Sequence, residues 1–209
     1  MQLYYAPGSA SFVVHWLLIE LNAPHELIKV DLQSKEQKSA DYLKLNPNGV
    51  VPTLIIDGKA VYESPALVMH LADLYPEAAL APAIGTLERA QYYQWMFNLV
   101  NPLQTAMRHW WYPAEASGEA NAEATQLAVR ERVEKCWDRL EAYLAANGPY
   151  LLGEKISAAD FMLTMLMRWT RNMPKPATDW PHLNALATKM KSRPSFKTLY
   201  EREGLTEWA

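Results

Sequence analysis

The chain has 209 residues, half of them apolar, with 8 Trp, 11 Tyr, a single Cys and a formal charge of -3. That apolar content suffices for one large or two small cores, and the slight acidity argues against a nucleic-acid surface held by counterion release. No run of 18 apolar residues predicts a membrane span, and the lone Cys136 leaves no internal disulfide, which fits a reducing cytoplasm.

The opening Met1-Gln2-Leu3-Tyr4-Tyr5 lacks the basic leader of a signal peptide and reads directly as a strand, Leu3–Ala6. Phe12–Leu21 is apolar almost all round and predicts a buried helix. Leu27–Val30 is a second strand and Glu36–Leu43 a polar, exposed helix. Thr53–Ile56 and Ala60–Tyr62 flank Asp57-Gly58, a dipeptide that favours a tight two-residue hairpin. Ala66–Leu74 closes the unit as a helix ended by Pro76. The order β-α-β-α-β-β-α predicts a mixed four-stranded sheet with helices on its faces, an α/β domain over residues 1–77.

Pro76 to Gly85 reads as a linker, and nothing beyond it looks like a strand. Leu87–Arg108, Ala122–Ala146, Ala158–Arg171, His182–Lys191 and Phe196–Glu203 all predict helices, an all-α domain over residues 86–209. Val133, Cys136, Trp137, Leu140 and Leu144 recur at three- and four-residue spacing, one core-facing stripe. Ser157 with Asp160 three residues on is a capping-box variant. The five histidines show no metal-ligand spacing, so no metal site is expected, and no Gly-rich phosphate loop is present.

Two short motifs carry the chemistry. In Asn46-Pro47-Asn48-Gly49-Val50-Val51-Pro52-Thr53-Leu54, a proline at the mouth of a strand cannot donate to the ladder. A cis bond there would aim the Val51 backbone outward, where an extended peptide can pair with it. In Glu63-Ser64-Pro65-Ala66, Ser64 reads as an N-cap with Pro65 at the first helical position. A peptide-binding edge beside an anion-welcoming helix start suits a short acidic peptide such as glutathione.

These motifs, with Ser157-Ala158-Ala159-Asp160 behind Leu152-Gly153, resemble the glutathione S-transferase family over essentially the whole chain. The resemblance implies a thioredoxin-like first domain and an all-helical second one. The opening Met-x-Leu-Tyr-Tyr-x-x-Gly-x-x-Ser is similar to bacterial, beta-like members. Those members carry a cysteine directly before the serine that matches Ser11, and here that position is Ala10. Exchange with a disulfide needs an enzyme thiolate, so the expected chemistry uses the sulfur of glutathione itself as nucleophile.

The resemblance implies a cytoplasmic, homodimeric detoxifying transferase that joins glutathione to a hydrophobic electrophile. Glutathione is then a co-substrate and no cofactor is required. A glutathione-dependent peroxidase activity would use the same site, and a non-enzymatic carrier or regulatory protein of the same fold is the alternative. Ser11 and Ser9 are the candidate thiol activators, Ser11 first because the beta-like serine aligns there, with Tyr5 as rival or as a pocket wall. Val51, held by Pro52, would pair with the cysteinyl unit, Ser64 would bind the γ-glutamyl carboxylate and Glu63 the γ-glutamyl ammonium. Lys35 and Asn48 are candidates for the glycyl end, each with a plain surface or turn role as the alternative. Met107, Arg108, Trp111 and Trp169 are assigned to the electrophile pocket, Arg108 to meet a carboxylate-bearing substrate or merely to cover a helix end.

Overall fold

A computed structural model describes residues 1–208, which divide into two compact units: Met1–Ala81 together with the chain from Lys191 on, and Pro82–Met190. The first unit is built on strands β1 (Gln2–Tyr5), β2 (Glu26–Lys29), β3 (Thr53–Ile56) and β4 (Lys59–Tyr62). Their order is β2-β1-β3-β4, with β1 parallel to β2 and antiparallel to β3, and β3 antiparallel to β4. This is the mixed four-stranded sheet that the chain order predicts. Asp57 and Gly58 both adopt positive φ, 48° and 77°, the twist that a two-residue hairpin requires.

Helix α1 (Phe12–Glu20) contributes seven buried residues, Phe12 to Leu18, and packs against α3 (Ser64–Leu74). Elsewhere in the unit Ala6, Val30, Tyr42 and Val51 form a separate cluster with Tyr4 and Leu32. Tyr42 comes from α2 (Ala40–Leu45), and its hydroxyl donates to the Val50 carbonyl and contacts Thr53 Oγ1 at 2.9 Å. That pair of contacts fixes the segment leading into β3.

Two element boundaries depart from the sequence pattern. The polar helix expected over 36–43 divides at Ser39, whose extended backbone and hydroxyl cap α2 by accepting from the Tyr42 amide; the cap competes with continuing the preceding turn. At α3 the N-cap is Glu63, with φ 76°, and Ser64 is already the first helical residue. Ser64 is therefore not the cap, and its hydroxyl is used elsewhere.

The second unit is helical: α4 (Leu87–Asn98), a π-turn at Leu99–Gln104, α5 (Thr105–Trp111), α6 (Ala114–Ser117), α7 (Ala122–Asn147), α8 (Ala158–Trp169) and α9 (Pro181–Lys191). The single helix expected over 87–108 is interrupted because Pro102 lies inside it; proline has no N–H for the ladder and its ring crowds the preceding turn. The α7 stripe of Val133, Cys136, Trp137, Leu140 and Leu144 is buried as its spacing predicts. Two isolated bridges, Tyr150–Gly153 and Leu152–Lys155, are the only extended pairing there among the described residues. The Asp160 carboxylate starts α8 by accepting from the Leu151 amide and from the amide and hydroxyl of Ser157. Burial pushes this carboxyl up to about 6 in spite of those donors.

The last helix, α10 (Pro194–Glu203), groups with the first unit and not with 86–190, where chain order had put it. Its Phe196 and Tyr200 meet Phe12 edge to face, and Phe196 also meets Trp16 at 5.0 Å between ring centroids. Aromatic burial decides the partition.

Candidate active site

The turn from β1 into α1, residues 6–11, is the centre of the candidate site. Ser11 is fully buried. Its hydroxyl donates to the Ala6 carbonyl at 3.1 Å and accepts from the Ala6 amide at 3.2 Å. With that proton committed, the 2.9 Å contact between the two hydroxyls is a donation from Ser9 to Ser11. Ser9 is half-buried, and its Oγ also accepts from the Ser11 amide at 3.3 Å. Ser11 is thus held as a clasp on Ala6, and Ser9 carries the hydroxyl proton that can turn outward. Neither serine caps α1 through its side chain.

The second motif closes on the first. The Ser64 hydroxyl donates to the Ala10 carbonyl at 2.8 Å. This bond ties the start of α3 to the turn that carries Ser9. Neither α1 nor α3 has a side-chain cap or an acidic residue in its first turn, so each start keeps a positive dipole end with no side chain to offset it, an arrangement suited to an anion. Glu63 is exposed and held at a positive φ that a non-glycine residue adopts at a cost.

Before β3 the Val51–Pro52 bond is cis. The Val51 side chain is buried with Ala6, while the Val50 carbonyl beside it is occupied by Tyr42 and Asn46. No bond to the Val51 main chain occurs among the described residues outside the sheet ladder. A free edge of this kind pairs with an extended peptide. Ser9, Val51, Pro52, Glu63 and Ser64 therefore lie on segments joined to one another through Ala6 and Ala10.

The other candidates are placed differently. Tyr5 is buried, with its ring 5.7 Å from that of His15; burial and then the Glu203 carboxylate push its phenol above the ordinary value, so it stays protonated. Lys35 is exposed at φ 61°. Asn48 is exposed, its amide donating to Asn46 Oδ1 and its carbonyl accepting from Lys38 Nζ, so its main chain performs the turn role.

In the helical unit Met107 is fully buried and Trp169 half-buried, while Trp111 is 41% exposed. Arg108 forms a two-pronged pair with Glu115, Nε to Oε2 at 2.8 Å and Nη2 to Oε1 at 2.7 Å, and stacks on Tyr112. In this structure its charge is met by Glu115 at the exposed surface. An open cleft of about 400 Å³ in this unit is lined by Pro102, Ala128, Glu131, Arg132, Lys135 and Arg139 and contains none of the candidate residues.

Sequence reasoning missed Gly8, His15 and Glu203. The Gly8 amide donates to Glu203 Oε2 at 2.7 Å, and His15 Nδ1 lies 2.8 Å from Glu203 Oε1. A single imidazole within the apolar run Phe12–Leu21 was the available signal, since a buried polar ring needs a partner. Glu203, 188 residues away from His15, carried none.

Comparison with known proteins gives the same family for both halves. Residues 3–79 match the glutathione S-transferase N-terminal domain and residues 103–203 the glutathione S-transferase C-terminal domain. The chain is 27% identical to glutathione S-transferase GstA of Escherichia coli O157:H7 over 98% of this chain and all of that one. The solved structure of a bacterial beta class glutathione S-transferase from Sphingomonas chungbukensis is 31% identical with a TM-score of 0.86, over 99% of this chain and 100% of that one. A sphingomonad glutathione S-transferase complexed with glutathione is 30% identical with a TM-score of 0.87, again over 99% and 100%.

Proposed function

The chain belongs to the glutathione S-transferase family, and from that premise we propose that it is a glutathione transferase that adds the glutathione thiolate to hydrophobic electrophiles. The observation that carries the site assignment is the bond from Ser64 to Ala10, which brings two uncapped helix starts and the Ser9 hydroxyl to one place. In this reading the cysteinyl unit pairs with the Val51 main chain beside Pro52. The γ-glutamyl carboxylate meets the start of α3 at Ser64, and Glu63 accepts from the γ-glutamyl ammonium. Lys35 reaches the glycyl carboxylate.

Ser9 supplies the hydroxyl that stabilises the thiolate. A free thiol titrates near 8.5, and bringing it to about 7 takes roughly 2 kcal/mol. One hydrogen bond to a charged acceptor contributes ~1.5–3 kcal/mol, so a single serine suffices. When Ser9 turns to the sulfur, Ser11 keeps both of its bonds to Ala6, and the turn loses one hydroxyl contact only. Ala10 offers no thiol for a mixed disulfide, so the sulfur attacks the electrophile directly. The proton it gives up leaves to solvent.

The electrophile is assigned to the face that carries Met107, Trp111 and Trp169, whose aromatic and thioether surfaces suit varied apolar groups. The working form is a homodimer in the cytoplasm, with α4 and its neighbours meeting the partner's sheet unit. Among the described residues no helix is long and apolar enough to cross a membrane.

The test pairs calorimetric titration with glutathione and turnover of a chlorodinitrobenzene-type electrophile. Binding with turnover is expected. Binding without turnover would assign the chain to the carrier class that the loss of the beta-like cysteine makes the second reading, and no binding would defeat the site assignment.

A further inference from the structure

The turn that bears Ser9 is braced from two directions. On one side Ser64 takes the Ala10 carbonyl; on the other, Glu203 of α10 takes the Gly8 amide at 2.7 Å. Residue 9 is the one between them. Ser9 N to Ala6 O, Phe12 N to Ser9 O and the serine clasp are local bonds of the turn, and local bonds shape a turn without fixing where it stands.

Glu203 is an unusual residue for a packing role. Its side chain and that of His15 are both fully buried, and a buried carboxylate is costly unless donors surround it. It has two, the Gly8 amide on Oε2 and His15 Nδ1 on Oε1. Because the carboxylate accepts at both oxygens, the imidazole is held as the tautomer with its proton on Nδ1, and Nε2 is left buried without a partner. The His15 ring packs between Tyr5 and His25, at 5.7 and 5.6 Å. His25 donates from Nδ1 to the Ala23 carbonyl, and Arg202 Nη1 lies 3.4 Å from its Nε2. The groups facing Glu203 are thus one amide, one imidazole and a phenol, with a second imidazole and a guanidinium behind them. A Leu or Met would fill the same volume at less cost, so the carboxylate is explained by the amide it holds.

We infer that Glu203 is a positioning residue: by gripping the Gly8 amide from α10, with His15 orienting the carboxylate, it fixes the Ser9 hydroxyl against the sulfur of bound glutathione. The inference rests on the transferase reading for its catalytic half, and on the ligand-free geometry for the brace itself.

Two variants separate position from charge. Glu203→Asp keeps the charge but withdraws the acceptor by one methylene; Glu203→Gln keeps an oxygen at the same reach without the charge. Gly8 amide exchange, read by NMR without glutathione, should accelerate at least about tenfold in Glu203→Asp and within about threefold in Glu203→Gln. With glutathione and the chlorodinitrobenzene-type electrophile, kcat should fall roughly 10–100-fold in the Asp variant, the usual cost of misplacing a reacting group by about an ångström. The electrophile KM should stay unchanged, and Gln should retain most of kcat. Wild-type Gly8 protection and kcat in Glu203→Asp would overturn the proposal, as would a Gln variant impaired while Asp is not. Phe196→Leu loosens the same helix and leaves Glu203 in place; if its kcat drops as far for the same loss of Tm, the role is structural only and the proposal falls. Should the Asp variant not fold, lost Gly8 protection in Glu203→Gln overturns it and retained protection with retained kcat supports it. A wild-type protein that bound no glutathione would overturn the transferase reading, while Gly8 exchange would still decide the brace.

Discussion

The two serines of the first turn differ in what their protons are doing, and substitution should separate them. Ser11 satisfies both polar groups of Ala6 from a fully buried position. Ser11→Ala would strand the buried Ala6 amide and leave the Ala6 carbonyl with the Ser9 amide alone, so a stability loss of ~1–3 kcal/mol is expected in urea unfolding, with the thiolate titration of bound glutathione little changed. Ser9→Ala should do the reverse. Its bound glutathione should titrate near the free-thiol value of about 8.5, seen as lost thiolate absorbance near neutral pH, with fold stability nearly intact. Swapped outcomes would return the catalytic role to Ser11. The sequence pointed to this turn because serine beside a helix start is a readable motif. It could not rank the two, since burial of a hydroxyl depends on how the turn folds back on Ala6.

At the level of elements, α1 and α10 are linked at the end away from the turn. Glu20 closes α1, an unfavourable place for an acid beside the negative end of a helix, and it pairs with Arg193 and with the Ser195 hydroxyl at the start of α10. Ser195 in turn accepts from Trp16 Nε1 at 2.9 Å. Burial pushes the Glu20 carboxyl up, but the bonds from Arg193 and Ser195 and the Arg193 charge outweigh it and hold it below its ordinary 4.5. A depressed acid contributes stability that is present above its unfolded value and is lost as pH falls through the folded one. The wild type should therefore lose more Tm than Glu20→Gln between pH 5 and pH 3, measured by calorimetry; parallel curves would remove Glu20 from that role. Elements were legible where one local signal dominates, as at Asp57-Gly58 in the hairpin. They were not where two signals overlap. Apolar spacing runs on through Pro102 and hides the π-turn, and Ser39 reads as one more polar residue until its hydroxyl is seen on the Tyr42 amide.

For the whole molecule, α4 exposes Leu87, Tyr93 and Phe97 at 72%, 38% and 58%, more apolar surface than one helix usually leaves in water. In the proposed homodimer this face is covered. The wild type should then sediment at twice the 23.8 kDa of one chain, and Phe97→Glu should shift it toward a single chain; a monomeric wild type would discard the proposal. The family and both halves were legible from ordered motifs. The partition of the last helix was not, because its partners Phe12 and Trp16 lie at the other end of the sequence and no local pattern refers to them.

That partition has a consequence for synthesis. A ribosome that has made the first 190 residues has already released the sheet and its helices, yet the lid over Phe12, Trp16 and His15 is still to come. The nascent chain must carry that greasy face uncovered until residues 194–203 have followed. A chaperone that shields aromatic surface would find its hold there, and would lose it only when α10 arrives.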